Sequence, residues 1–178
     1  MLGNLSIGIG ALGLLFSVAW LGFPSRVEPF LKRLPRDRWI GFLITVVDLV
    51  WAAILLWNTP LGWFDAYKRS LFVLTPVAVF LVARFMDELL AARALGGFLL
   101  LLPAPVLATA RWHPSAWRLV IVVLCYAWVI AGVSLVIAPY TFRKTFDFLA
   151  ESCLRRALAA GFTMAVGGGL VVLGFVVY

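Results

Sequence analysis

The sequence predicts an all-α protein: a polytopic transmembrane helical bundle of about six membrane spans, with short interfacial amphipathic helices in the cytoplasmic loops. Three observations carry this. Of 178 residues, 64% are hydrophobic and 13% are charged, whereas a soluble domain is roughly 45–50% apolar and about 25% charged. The mean hydropathy is +1.06, which leaves too little polar surface to cover a water-soluble fold and too much apolar side chain for a disordered one. The apolar residues also fall in long runs, and about 20 such residues in a helix cross a hydrocarbon core of about 30 Å. The length suits a single integral membrane domain over residues 1–178.

The first span is expected at residues 4–23. No basic segment precedes it and no small-x-small cleavage site stands before Pro24, so it reads as a retained span rather than a signal peptide. Gly8, Gly10 and Gly13 match G-x-G-x-x-G in letters. The dinucleotide fingerprint needs a strand before it and a helix after it, so inside an apolar run the match is rejected. With Ser6 and Ser17, Gly10 and Gly13 read instead as a small-residue face for close helix contact. The second span is expected at 39–58, and the third and fourth at 70–85 and 94–110. Arg84, Asp87, Glu88 and Arg93 stand between the last two and balance in charge. They read as a neutralised hairpin turn, with Arg84 and Glu88 at i,i+4. Asp87 and Glu88 side by side also suit a divalent cation, but nothing completes such a site. One long bent helix here would give five spans and move the C-terminus to the other side. Pro76, Pro103 and Pro105 remove backbone donors and favour kinks. The fifth and sixth spans are expected at 118–138 and 157–178, and in the sixth Gly161, Ala165 and Gly168 form a second small-residue face.

The net charge is +7 and the pI about 10.1. In a membrane protein this reads as the Lys and Arg excess that flanks spans on the cytoplasmic side, not as a nucleic-acid footprint. Residues 24–38, 84–93 and 139–156 carry eleven Lys and Arg, against four (Lys68, Arg69, Arg111, Arg118) on the opposite side. The positive-inside rule puts the eleven in the cytoplasm and both termini outside. The expected location is a bacterial inner (plasma) membrane. Trp39, Trp57, Trp63, Trp112 and Trp117 fall near expected span ends, where amphipathic rings prefer to sit.

The two large cytoplasmic loops are alike. Each follows a proline (Pro24, Pro139) and leads into a span through a glycine (Gly41, Gly161). Each carries apolar residues at helical spacing: Val27, Phe30, Leu31 and Leu34 in one, Phe142, Phe146, Leu149 and Leu154 in the other. Short helices on the inner surface follow, with Lys32, Arg33, Arg36, Arg38, Arg143, Lys144, Arg155 and Arg156 as contacts for anionic lipid headgroups. The likeness suggests repeated hairpins over 4–58 and 118–178, although the proline-to-glycine distances differ, 17 against 22 residues.

Asp48 is the most informative residue for chemistry. It stands mid-span, where a carboxylate costs roughly 2.5–3.5 kcal/mol on insertion scales. Gly41, Thr45 and Ala52 share its helical face, so this stripe is expected to face the bundle or a partner. Asp48, Thr45 and Tyr126 form a candidate proton or ion site; the competing reading is a structural carboxyl in helix packing, hydrogen-bonded to a neighbour such as Tyr126, Trp128 or Thr163. The lone His113 lies in a short outer loop, and Cys125 and Cys153 read as two free thiols. One histidine and no cysteine pair build no multi-ligand metal or bis-histidine haem site, so no cofactor or metal is expected. No nucleophile has a histidine base at a shared depth.

Without a catalytic constellation, the leading expectation is a non-catalytic subunit packing against other membrane chains or its own copies. The alternative is a small transporter or channel using Asp48. A membrane-embedded lipid-modifying enzyme using Asp48 or Asp87 and Glu88 comes third.

Overall fold

The structure, a computed structural model, describes residues 2–34, 37–60, 62–85 and 90–178. Arg36, Asp87 and Glu88, singled out above, lie outside these. The protein is 89% helical, and the described residues contain no strand. Four long helices are continuous: α1 (Leu2–Gly22), α3 (Arg38–Asn58), α7 (Arg118–Ile137) and α9 (Cys153–Val176). A fifth long stretch consists of α5 (Leu90–Leu101) and α6 (Pro103–Ala110). The break falls where Pro103 removes an N–H, yet Leu102 N still donates to Phe98 O at 3.0 Å, so the helix carries on. These five stretches are long and apolar enough to cross a membrane. The expected third span is shorter: α4 (Leu71–Phe85) has 15 residues, about 22 Å at 1.5 Å per residue. The 3-10 helix Gly62–Ser70 leads into it.

Two boundaries move outward from the sequence reading. The fourth stretch starts at Leu90 rather than 94, and the sixth at Cys153 rather than 157. Charge at a span end marks the interface and does not stop a helix. Arg155 is held within α9's first turn region by Glu151 at 3.0 Å, so the helix extends past its apolar run. α3 begins as its sequence dictates: the Asp37 carboxylate accepts from Trp39 N and Ile40 N at 3.0 and 3.2 Å, satisfying amide donors that a helix start leaves unpaired.

Small residues set the packing. α1 and α9 run antiparallel in the most extensive pairing of the bundle. Gly3 faces Gly174, Ser6 Oγ donates to Leu170 O at 2.6 Å, and Gly10 faces Gly167. α5 runs antiparallel to α7 through Gly96 and Gly132, and packs α3 on its other side. Gly41 lies on Ala91, Gly97 on Asp48, and the rings of Trp51 and Phe98 meet at 5.6 Å. The order of these contacts makes α3 and α5 parallel, so the chain must return between them. α4 makes that return. Trp57 meets Phe72 at 5.3 Å near one end of α3, and Phe42 shares a cavity with Phe80 near the other. Leu2, Val106, Ala110, Ile121, Cys125 and Leu170 join α1, α6, α7 and α9 in a buried cluster.

The expected surface helices are present as α2 (Pro24–Arg33) and α8 (Tyr140–Ala150). Leu31 is buried, while Val27, Phe142, Phe146 and Leu149 are half-buried. Leu154 departs from the expected amphipathic set: it belongs to α9 and is exposed. α2 and α8 touch each other, and Trp20 of α1 stacks on Phe146 at 5.8 Å. The three basic stretches therefore gather at one end of the bundle. Both ends of the described chain lie at the other, where Tyr178 rests on Gly3 and its hydroxyl donates to Trp117 O at 2.7 Å.

Candidate functional site

Asp48 sits midway along α3, on the face that α3 turns to α5. Gly41, Thr45 and Asp48 are its buried residues. The helix exposes larger apolar groups such as Leu43, Val47 and Ile54 elsewhere. This division is what 3.6-residue periodicity does with a stripe of small and polar residues among large apolar ones. Asp48 is 8% exposed, and its Oδ1 has no hydrogen-bond partner. Gly97 of α5 lies over the carboxyl so closely that a methyl group there would stand 3.1 Å from Oδ2. Thr45 does not reach Asp48 through its hydroxyl, which donates to Gly41 O at 2.8 Å. The arrangement is a carboxyl clamped between two parallel helices, with one oxygen's bonding capacity unused.

The other members proposed for this site lie apart from it. Tyr126 is exposed on α7, and α5 packs between α3 and α7, so Tyr126 gives Asp48 no hydrogen bond. Trp128 is half-buried on α7, behind the same helix. Thr163 Oγ1 donates within α9, to Ala159 O at 2.8 Å. The partner that the sequence reading missed is Gly97. Its signal was the Gly96–Gly97 pair in the fourth span: Gly96 serves the contact with α7 and Gly97 the contact with Asp48.

Of the charged turn, Arg84 is exposed at the end of α4, and Arg93 is half-buried near the start of α5. Their expected partners fall outside the described residues. Among the described residues, no three His, Cys, Asp or Glu side chains come together as metal ligands. Gly10, Gly13 and Gly41 sit at helix contacts: a methyl at Gly10 would stand 2.5 Å from Gly167 O, and one at Gly41 2.8 Å from Ala91 N. Gly13 is looser, 3.7 Å from the Gly167 Cα. Gly161 and Gly168 do not pack within this chain. Nothing lies within 4 Å of where their side chains would be, because α9 turns Ala160, Gly167 and Gly174 inward instead.

The basic end is more self-engaged than its composition suggests. Lys32 of α2 and Arg143 of α8 share the Asp147 carboxylate at 3.3 and 3.5 Å. Arg156 pairs with Glu28, tying α9 to α2. Arg155 binds Glu151 and donates to Phe148 O at 3.0 Å. Lys144 lies over the Tyr140 ring, 5.3 Å from its centre. Arg33 lines an open cleft with Lys32 and Arg143, and Arg38 starts α3 on the exposed surface. Asp147 and Glu28 carried a readable signal: Asp147 stands four residues after Arg143, and Glu28 four before Lys32. No protein-family model, curated protein or solved structure matches the chain.

Proposed function

We propose that the chain is a non-catalytic polytopic subunit that packs against other membrane chains, with its basic end in the cytoplasm of a bacterial cell. The observation that carries this reading is the outward face of α9. Gly161, Gly168 and Gly169 have nothing within 4 Å, and Ala165 is exposed beside them. Lipid tails gain nothing from such a face, whereas a second helix can bring its backbone close to it. The same helix uses its other glycine face in this way, against α1. Purification from native membranes in mild detergent tests the reading. Stoichiometric companion chains are expected, and Gly161→Leu with Gly168→Leu should remove them without unfolding the chain. A clean single species, unchanged by the substitutions, would overturn it.

A second reading rests on Asp48. An unpartnered carboxyl deep in a bundle suits a proton or cation passing between α3 and α5. Asp48→Asn keeps the shape and removes the charge. In reconstituted vesicles it should abolish a proton or cation flux if this reading holds, and leave any flux unchanged if the carboxyl serves packing alone.

A further inference from the structure

Three kinds of partner could meet the Asp48 carboxyl, and among the described residues none does. A cation is the first. The ion pairs lie toward the two ends of the bundle, with Lys32–Asp147, Arg143–Asp147, Arg155–Glu151 and Arg156–Glu28 at one and Lys68–Asp65 at the other. On the helices packed against α3, Arg93 stands one turn before Gly97 on α5 and Arg84 lies at the end of α4, and neither pairs with Asp48. A hydrogen-bond donor is the second. The Thr45 hydroxyl is engaged with Gly41 O at 2.8 Å, and Asp48 Oδ1 is left without a partner. A shell of oxygens around a metal ion is the third. Hard cations take about six or more oxygen ligands. Among the described residues no three His, Cys, Asp or Glu side chains come together. Gly97 also closes over the carboxyl, so that a methyl there would stand 3.1 Å from Oδ2 and 3.8 Å from Cγ.

What remains is the smallest ion. A proton needs one oxygen and no coordination shell, and it removes the charge that makes a carboxylate costly at mid-span. Charges buried without a partner are generally neutralised in this way. Gly97 matters through what it lacks. A side chain there that donated a hydrogen bond would favour the charged carboxylate, whereas glycine brings no side chain to Oδ2.

We propose that Asp48 is a proton-binding carboxyl that excludes metal cations, and that Gly97 is the positioning residue that keeps it so by presenting no donor to Oδ2. This rests on the reading of Asp48 as an ion site and narrows the ion to the proton. The site lies between α3 and α5, apart from the outward glycine face of α9.

Infrared difference spectroscopy of the full chain in lipid vesicles at neutral pH tests this, with the Asp48→Asn spectrum subtracted from that of the parent. The expected result is a carboxylic-acid C=O band that the variant loses. Sodium, potassium or calcium chloride added to the unaltered chain should leave that band in place, a measurement that stays decisive should Asp48→Asn fail to fold. Gly97→Ser should convert most of the acid band to a carboxylate band, while Gly97→Ala, with the same crowding and no donor, should keep it. A carboxylate band for Asp48 in the unaltered chain would overturn the proposal, as would loss of the acid band on adding any of the three salts. An acid band undiminished in Gly97→Ser would overturn the role of Gly97. Ion flux fails separately: flux unchanged by Asp48→Asn, beside a parent that keeps the acid band, would overturn transport and leave the proton assignment standing.

Discussion

A glycine in this bundle is defined by what a methyl group would meet. At Gly10 the methyl would stand 2.5 Å from Gly167 O, while at Gly8, two residues away on the same helix, it would meet nothing. Gly10→Ala should therefore lower stability by about 1–3 kcal/mol, the usual cost of overpacking. Gly8→Ala should leave it unchanged or raise it, because alanine is the better helix former. Thermal melts in one detergent would separate the pair, and equal behaviour would mean that the contact between α1 and α9 is looser than described. The small-residue face that the sequence shows on α1 packs within the bundle, whereas the face it shows on α9 points away from α1, and Gly167 and Gly174 make that contact instead. The reason is physical. Gly161, Ala165 and Gly168 keep helical spacing as well as Ala160, Gly167 and Gly174 do, and spacing alone does not say which face a neighbour takes. The depth and inward direction of Asp48 were legible, because mid-span charge and a small-residue stripe are local properties. Its contact with Gly97 was not, because it depends on which helices become neighbours.

The α2 and α8 helices combine apolar seating with ion pairs. Leu31 is buried and Trp20 meets Phe146, while the ion pairs Lys32–Asp147 and Glu28–Arg156 tie α2 to α8 and α9. The exposed Lys32–Asp147 pair contributes about 0–1 kcal/mol, and glutamine in place of Glu28 still accepts a hydrogen bond from Arg156 in the part-buried pair, so Glu28→Gln combined with Asp147→Asn should hardly shift the melting point. It should instead free Lys32 and Arg143 locally, and trypsin should cut the folded chain there faster than it cuts the parent. A cutting rate equal to the parent's would show that apolar seating alone fixes these helices. Both surface helices could be read from hydrophobic periodicity near the interface. The shortness of α4 could not. A run of 16 residues between charged ends looks like a span, and only its antiparallel course beside α3 shows how the chain returns between two parallel helices.

At the level of the whole molecule, the charge asymmetry read from the sequence becomes a spatial division, with basic stretches at one end and both ends of the described chain at the other. The sidedness that this implies can be checked with the two thiols. Cys153 is exposed at the basic end, and Cys125 is buried in the central cluster. A membrane-impermeant maleimide should label Cys153 in inside-out vesicles and not in intact cells, while Cys125 stays unlabelled in both. Labelling of Cys153 from outside would invert the orientation and leave the bundle intact. The same architecture constrains biosynthesis. Ser6 and Leu170, bonded across the α1–α9 contact, are 164 positions apart, so a ribosome releases α1 long before the helix that covers it. Until then Gly3, Ser6 and Gly10 lie open to any passing helix. A chaperone or insertase that shelters the nascent N-terminal segment would guard this protein at its most vulnerable moment, and a message truncated ahead of α9 would yield a chain with that seam permanently unclosed.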